Sequence, residues 1–129
     1  EKMALWRTPE ATYLARGIEQ NWMREYFYIN PNTMLVDERG NCYKLKETLG
    51  LPSNEHVFWM EGYSGDFIAF IYVFEPLSES AKSVSYIEPD GEPFDSWAAN
   101  WKGETIMHLN IENLRKNQHL FEYSPRIIK

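Results

Sequence analysis

The sequence predicts an all-β fold, and three observations support that prediction. Aromatic residues make up 16% of the 129-residue chain, with five Trp and eight Tyr, and such residues favour sheets over helical bundles. Strand-like segments recur roughly every 10 to 12 residues, with Gly, Pro and Asn between them. The sequence contains no long amphipathic helical pattern. Together these features are typical of a β-sandwich or a β-barrel.

The first strands are predicted within residues 11–29, which are rich in aromatic and β-favouring side chains. Two sets of side chains alternate along residues 22–29: Trp22, Arg24, Tyr26 and Tyr28 against Met23, Glu25, Phe27 and Ile29. A period of two indicates a strand, although one helical turn at residues 17–24 is also consistent with the sequence. The Asn-Pro-Asn at residues 30–32 then ends the run.

A β-hairpin is predicted at residues 33–45. Two short strand-like pieces, at residues 33–36 and 42–45, flank the Asp-Glu-Arg-Gly-Asn segment at residues 37–41. Gly40 can adopt the positive φ that closes a type I turn with a bulge. We therefore expect a tight antiparallel connection here.

The second half of the chain continues the same alternation of strands and turns. Further strands are predicted at residues 57–60, 67–75, 83–88 and 104–111, with a loop at residues 47–56. The strands at 67–75 and 83–88 flank a polar turn and are predicted to form a second hairpin. Residues 111–121 are predicted as a short helix or an extended tail. We expect a single domain over residues 1–129, with 112–129 as a C-terminal tail or linker.

Charge and cysteine content exclude several classes of function. The formal net charge is −6, and the longest basic cluster is Arg115-Lys116, so we expect no nucleic-acid partner. Cys42 is the only cysteine, which excludes an intramolecular disulfide framework and paired-cysteine motifs. No apolar run reaches the roughly 18–20 residues of a membrane-spanning helix. The chain opens without a signal peptide, so any such segment would lie outside this sequence.

The sequence contains no recognisable catalytic or metal-binding pattern, so we predict no catalytic residue, no metal and no cofactor. The three histidines, His56, His108 and His119, have no metal-ligand spacing. His108 and Glu112 would come together only on a helix, whereas this segment is predicted as a strand. Cys42 follows the predicted hairpin turn and is interpreted as a packing residue.

About half the chain carries a recognisable set of residues in a fixed order: Leu35-Val36-Asp37, Gly40, Tyr43, Leu45, Gly50, Phe74-Glu75-Pro76-Leu77-Ser78 and Tyr86-Ile87-Glu88. In their order and spacing these residues resemble an immunoglobulin-like domain of exported proteins from Bacteroidetes-type bacteria. The sequence departs from the family pattern at Ser78, where Pro is usual, and at Tyr86, where Phe is usual.

The resemblance implies an immunoglobulin-like antiparallel β-sandwich of about seven to nine strands. It also implies an exported protein, periplasmic or on the cell surface and often lipoprotein-associated. In this family the domain is an accessory module that often lies beside a thioredoxin-like domain. The family offers no catalytic residues to carry over to this chain.

The predicted strand at residues 67–75 carries apolar side chains on both faces, so neither face is suited to water. The N-terminal Met-Ala-Leu-Trp, residues 94–101 or the C-terminal tail would cover part of the second face. We expect a remaining docking surface at Phe67, Ile71 and Val73 for a neighbouring domain, a protein partner or a second copy of the chain. The first interpretation is therefore a non-catalytic accessory or protein-interaction module.

Two other functions compete with protein docking. Exposed aromatic side chains on a β-sandwich can stack on sugar rings, so Tyr63, Trp97 and Trp101 are candidates for a carbohydrate-binding module. The sequence favours a structural role for the same side chains, in the core or as cover over it, because buried aromatic residues are the commoner case. The weakest alternative is a small hydrolase, for which no pair of carboxylates stands out.

Overall fold

The computed structural model describes residues 2–19, 24–49, 58–61, 67–91, 102–121 and 127–128. The strands are β1 (Lys2–Arg7), β2 (Thr12–Glu19), β3 (Arg24–Phe27), β4 (Met34–Asp37), β5 (Cys42–Thr48), β6 (Phe58–Glu61), β7 (Phe67–Phe74), β8 (Ser83–Glu88), β9 (Glu104–Asn110) and β10 (Ile127–Ile128). A short helix, α1 (Ile111–Arg115), and a 3-10 helix at Gln118–Phe121 follow β9. No helix in these ranges is both long and apolar enough to cross a membrane.

Seven of the strands form one antiparallel sheet, in the order β1-β2-β7-β5-β4-β8-β9. A second, three-stranded sheet has the order β10-β6-β3 and is also antiparallel. The predicted all-β antiparallel fold is therefore confirmed, and of the two alternatives left open for residues 111–121, a short helix or an extended tail, the structure has the short helix. Strand β5 continues to Thr48, two residues into the segment predicted as a loop.

The large sheet is curled into a half-barrel. Tyr72 on β7 and Tyr86 on β8 stack with ring centroids 5.9 Å apart, although β5 and β4 lie between these strands in the sheet. The guanidinium of Arg16 on β2 lies 2.7 Å from the carboxylate of Glu104 on β9, at the far edge of the sheet. Such contacts between distant strands require the sheet to bend over its inner face.

The main hydrophobic core lies inside this curl. Side chains alternate between the two faces of a strand, and β7 and β8 contribute every second residue to the core, whereas β9 packs only the partly buried Ile106 and Leu109 against it. Its buried members are Leu5, Leu14, Ile29, Leu35, Tyr43, Phe70, Tyr72, Phe74, Leu77, Ala81, Val84, Tyr86 and Ile111. We call the opposite, convex side of the sheet the outer face.

The prediction that β7 and β8 form a hairpin is wrong. Strand β7 pairs with β2 and β5, whereas β8 pairs with β4 and β9. Residues 75–82 connect them across the end of the β4–β5 hairpin and are held there by hydrogen bonds. Arg7 donates to the carbonyl oxygens of Ser78 and Ala81, at 2.9 and 3.4 Å. These long-range bonds leave no signal in the local sequence.

The N-terminal residues form a sheet strand rather than a cover. Strand β1 pairs along its full length with β2, from Lys2 opposite Gly17 to Arg7 opposite Thr12. Between them, the N–H of Thr8 donates to the carbonyl oxygen of Ala11 at 2.9 Å and closes the turn. The Met-Ala-Leu-Trp segment therefore lies in the edge strand of the large sheet.

The predicted β4–β5 hairpin is present, with Gly40 at φ 88° as the sequence indicated. Asp37 is buried in this turn. Its Oδ1 accepts hydrogen bonds from the N–H groups of Arg39 and Asn41, both at 2.9 Å. Hydrogen bonds to an ionised carboxylate are stronger than those between neutral groups, so Asp37 fixes the conformation of this turn.

The short helices after β9 cross the edge of β1. Helix α1 begins at Ile111, whose N–H donates to the carbonyl oxygen of Lys82 at 3.0 Å, and Asn110 caps it by accepting from the N–H of Asn113 at 2.9 Å. Asn117 then donates its side-chain amide to the carbonyl oxygen of Met3 at 2.9 Å. The chain thereby passes from the inner core to the outer face, since Ile111 belongs to the former and Phe121 to the latter.

Candidate docking surface

The outer face carries two rows of apolar side chains across neighbouring strands. In the strand register, Ala4 lies opposite Ala15, and Ala15 lies opposite Ile71. In the next outward-facing row, Trp6 lies opposite Tyr13, and Tyr13 lies opposite Val73. In an antiparallel sheet with one face towards solvent, that face carries mostly polar residues. The apolar side chains on the outer face therefore indicate that it packs against another segment or another molecule.

The 3-10 helix at Gln118–Phe121 covers one part of the outer face. Phe121 is buried against Ala4, Ala15 and Ala69, and Leu120 packs beside it. Alanine side chains are short, so they let the aromatic ring approach the sheet closely. We call Ala4, Ala15 and Ala69 the alanine seat.

The other part of the outer face is partly accessible to solvent, although Val73 in the same row as Tyr13 is buried. Trp6 and Tyr13 are half-buried, and their rings stack with centroids 5.7 Å apart and 12° between planes. Ile71 is half-buried beside them. Leu49, whose N–H donates to the carbonyl oxygen of Ile71 at 3.0 Å, is 43% exposed. We call Trp6, Tyr13, Leu49 and Ile71 the open patch.

Polar groups border the open patch near the β1–β2 turn. The ammonium group of Lys46 lies 3.5 Å from the carbonyl oxygen of Glu10, and Glu47, opposite Val73 in the register, is exposed. An apolar centre with a charged rim is the usual composition of a protein-docking surface.

The structure places two of the three predicted docking residues on this face. Val73 is only 4% exposed, and Ile71 is half-buried against the cluster that contains Phe121. Phe67 is the first residue of β7, and its side chain lies outside the described residues. The aromatic residues proposed for carbohydrate binding, Tyr63, Trp97 and Trp101, lie outside the described residues as well.

Trp6, Tyr13 and Leu49 were not predicted as site residues. A signal for the first two exists in the sequence, because a Thr-Pro-Glu-Ala segment at residues 8–11 separates Trp6 from Tyr13 symmetrically. Such a segment predicts a hairpin turn, which would bring the two rings together. Leu49 carries no comparable signal, since it lies beyond the predicted strand.

A cluster of interacting polar and aromatic side chains lies on the inner face. The guanidinium of Arg16 lies 4.9 Å from the centroid of the Tyr86 ring, and the Tyr86 hydroxyl donates to Glu88 at 3.3 Å. Burial raises the pKa of Tyr86, and the neighbouring Tyr72 and Glu88 raise it further. Tyr86 therefore stays neutral, and together with the Arg16–Glu104 ion pair it stabilises the curl of the sheet.

The residues considered for catalysis lie apart from these clusters. The interpretation of Cys42 as a packing residue is wrong, because Cys42 is exposed on β5, with its sulfur 4.0 Å from the carbonyl oxygen of Gly40. His119 lies 3.0 Å from the carbonyl oxygen of Lys116, and His108 lies on the edge strand β9. His56 lies outside the described residues. Within the described part of the chain, no three His, Cys, Asp or Glu side chains are grouped as metal ligands.

The comparisons with known proteins add no relative: no family model, curated protein or solved structure matches this chain.

Proposed function

We propose that this chain is a non-catalytic accessory domain that docks a protein partner or a neighbouring domain on its outer face. The observation that carries the proposal is the open patch, an apolar surface on a sheet face where water would favour polar residues. Its stacked rings of Trp6 and Tyr13 offer a large, rigid contact area, and such aromatic residues are frequent at the centre of interfaces.

The proposal extends to the setting of the domain. Its immunoglobulin-like character, its export to the periplasm or cell surface and its association with a lipoprotein or a thioredoxin-like neighbour all rest on the sequence resemblance. The all-β antiparallel fold is compatible with that family. A second copy of the chain is an alternative occupant of the same face.

Site-specific crosslinking tests the docking surface. The photoreactive residue p-benzoylphenylalanine is introduced at Leu49 in the open patch or, as a matched control, at Met107. Met107 is also exposed, at 57%, but lies on the edge strand β9. We expect a discrete crosslinked protein species from position 49 in the cells that produce the protein, and none from position 107. Equal crosslinking from both positions, or none from position 49, would contradict the proposal.

A carbohydrate-binding module is the second candidate, because half-buried aromatic side chains on a sheet face also suit sugar rings. The residues involved would be Trp6 and Tyr13, together with Tyr63, Trp97 and Trp101 from the sequence analysis. Titration of intrinsic Trp fluorescence with a panel of oligosaccharides tests it. Saturable quenching that is lost in Trp6→Ala would support sugar binding over protein docking.

A further inference from the structure

The open patch presents two hydrogen-bond donors that the chain itself does not use. The rings of Trp6 and Tyr13 stack with 12° between their planes, and both side chains are half-buried. Within the described part of the chain, no residue accepts a hydrogen bond from the indole N–H of Trp6 or from the hydroxyl of Tyr13. A ligand that covers these rings must supply acceptors for both groups, because a buried donor without an acceptor is costly.

An extended backbone in the polyproline II conformation supplies such acceptors. This conformation has no internal hydrogen bonds, so its carbonyl oxygens remain available, and proline-rich segments bind to aromatic-lined surfaces. The backbone carbonyl oxygens of a helix are bonded within the helix. An added β-strand needs a free strand edge, whereas β2 and β7 beneath the patch are each paired on both sides.

An acidic side chain lies one turn of such a segment away from Tyr13. In the strand register, Tyr13 lies opposite Val73 and Val73 lies opposite Glu47, so two strand spacings separate Tyr13 from Glu47. Two spacings amount to about 9.6 Å, and three residues of a polyproline II helix rise about 9.3 Å. A basic side chain three residues from a proline on Tyr13 would therefore reach Glu47.

The carboxylate of Glu47 is available for that contact. Glu47 is exposed, and no residue in the described ranges forms an ion pair with it. The ammonium group of the adjacent Lys46 lies instead 3.5 Å from the carbonyl oxygen of Glu10. Charge complementarity thus favours a basic partner segment, and the net charge of −6 favours it as well.

We propose that the open patch binds a proline-rich segment of a partner protein in the polyproline II conformation, with a basic residue three positions from the proline that lies on Tyr13. This inference rests on the proposed docking function and adds the chemistry of the partner. Trp6 and Tyr13 supply the stacking surface and the two donors, and Glu47 supplies the charge. Phe121 fills the alanine seat in the neighbouring row of side chains, so the segment crosses the strands.

Three fluorescently labelled peptides test the inference on the full chain, with fluorescence anisotropy as the measure of affinity. The probe is PPPPRPPPP, in which a proline lies three positions from the arginine on either side, so both binding directions are served. The peptide PPPPEPPPP reverses the charge and keeps the polyproline II conformation. The peptide GGSGRGSGG keeps the arginine and loses that conformation, because chains rich in Gly and Ser are flexible.

We expect the probe to bind at least ten-fold more tightly than GGSGRGSGG and at least three-fold more tightly than PPPPEPPPP. The probe should also shift the indole N–H signal of Trp6 in NMR spectra, which the Trp6→Phe variant assigns. Equal affinity for the probe and the flexible peptide, or no binding of the probe at millimolar concentration, would overturn the inference.

Variants of the chain assign the contacts to side chains. Tyr13→Phe and Trp6→Phe each remove one donor and keep an aromatic ring, so each should weaken binding of the probe at least three-fold. Glu47→Gln should reduce the preference for PPPPRPPPP over PPPPEPPPP to less than two-fold. The matched control is Asp90→Asn, which removes the same charge from an exposed position and keeps an oxygen that can accept from the N–H of Gly103. An unchanged preference in Glu47→Gln, or an equal loss of preference in Asp90→Asn, would overturn the inference.

These results separate the partner's chemistry from the docking function. Crosslinking from Leu49 captures a docked protein whatever the conformation of its docking segment. Crosslinking together with no preference for the probe would leave the docking function intact and reject the proline-rich partner. Saturable binding of an oligosaccharide at Trp6, with no binding of the probe, would reject that partner as well.

Discussion

The Tyr43 hydroxyl joins two loops that are distant in sequence. It donates a hydrogen bond to Asp37 Oδ2 at 2.8 Å and accepts one from the N–H of Ser78 at 3.2 Å. Asp37 belongs to the β4–β5 turn, whereas Ser78 belongs to the connection between β7 and β8. This pair therefore anchors the connection that crosses the end of the hairpin.

Tyr43→Phe should destabilise the protein by about 1–2 kcal/mol, because it leaves the buried Asp37 and the Ser78 N–H each without one partner. Urea unfolding followed by circular dichroism measures the change. Tyr13→Phe is a suitable control, since Tyr13 lies on the outer face and its ring stacking with Trp6 is retained. A similar loss of stability in both variants would show that the hydroxyl of Tyr43 has no special role.

Stability should fall in acid because of Asp37. Burial alone would raise the pKa of its carboxyl group, but hydrogen bonds from Asn41, Tyr43 and Arg39 outweigh burial and lower that pKa from 3.8 to about 2. A group with a lowered pKa in the folded state stabilises the fold above its unfolded pKa, and this contribution is lost as the pH falls. The loss should occur between about pH 4 and pH 2.

Unfolding free energies measured across that range test this expectation. Asp37→Asn should weaken the dependence of stability on pH, because the side chain no longer titrates. Glu79→Gln removes an exposed carboxyl group of the neighbouring loop and should leave the dependence close to that of the wild type. An unchanged acid profile in Asp37→Asn would be inconsistent with the lowered pKa.

Much of the fold could be predicted from the sequence because local signals control strands and tight turns. The alternation at residues 83–88 predicts β8 with the bounds that the structure has, and Gly40 supplies the positive φ of the turn. The order of the strands in the sheet could not be predicted from such local signals. The connection from β7 to β8 depends on Arg7, Tyr43 and other side chains far away in sequence, which no local pattern records.

Two glycines are required for different physical reasons. A Cβ at Gly40 would meet open space, so Gly40→Val should cost about 1–2 kcal/mol through backbone strain alone. A Cβ at Gly103 would overlap the carbonyl oxygen of Glu88, so Gly103→Ala should cost about 2–3 kcal/mol through steric overlap.

Asn substitutions separate these two causes in chemical denaturation experiments. Asn tolerates positive φ better than other non-glycine residues, so Gly40→Asn should recover about half of the loss seen in Gly40→Val. Gly103→Asn should be no better than Gly103→Ala. If Asn recovered stability at position 103 and not at position 40, backbone strain would belong to Gly103 and steric overlap to Gly40, contrary to this prediction.

His108 is a strained residue at a β-bulge. Its φ is 58°, and the register shift between β8 and β9 places Met107 and His108 together opposite Ser85. His108→Gly should stabilise the protein by about 0.5 kcal/mol, because relief of strain exceeds the added entropy of the unfolded chain. His108→Val should destabilise it by about 1 kcal/mol, because β-branched residues rarely adopt this conformation. Thermal unfolding of the two variants measures both changes, and the opposite order would contradict the bulge geometry.

The docking surface was predicted only in part. Residues 67–75 carry apolar side chains on both faces of the strand, so both faces must be shielded from water. This pattern predicted a docking surface that includes Ile71 and Val73. Val73 proved to be buried, while Ile71 is half-buried. The contribution of Trp6 and Tyr13 depends on β1 as a sheet strand, and the cover by Phe121 depends on a contact between the two ends of the chain.

Hydroxyl-radical footprinting tests the central claim, docking on the outer face, most directly. The purified chain is compared with the same protein in the cells that produce it, and oxidation is measured residue by residue. We predict that oxidation of Trp6, Tyr13 and Leu49 is at least three-fold lower in the cells than in the purified chain. The exposed Met107 on β9 should be oxidised equally in both samples. Unchanged labelling of the open patch, with or without protection of Met107, would contradict the account.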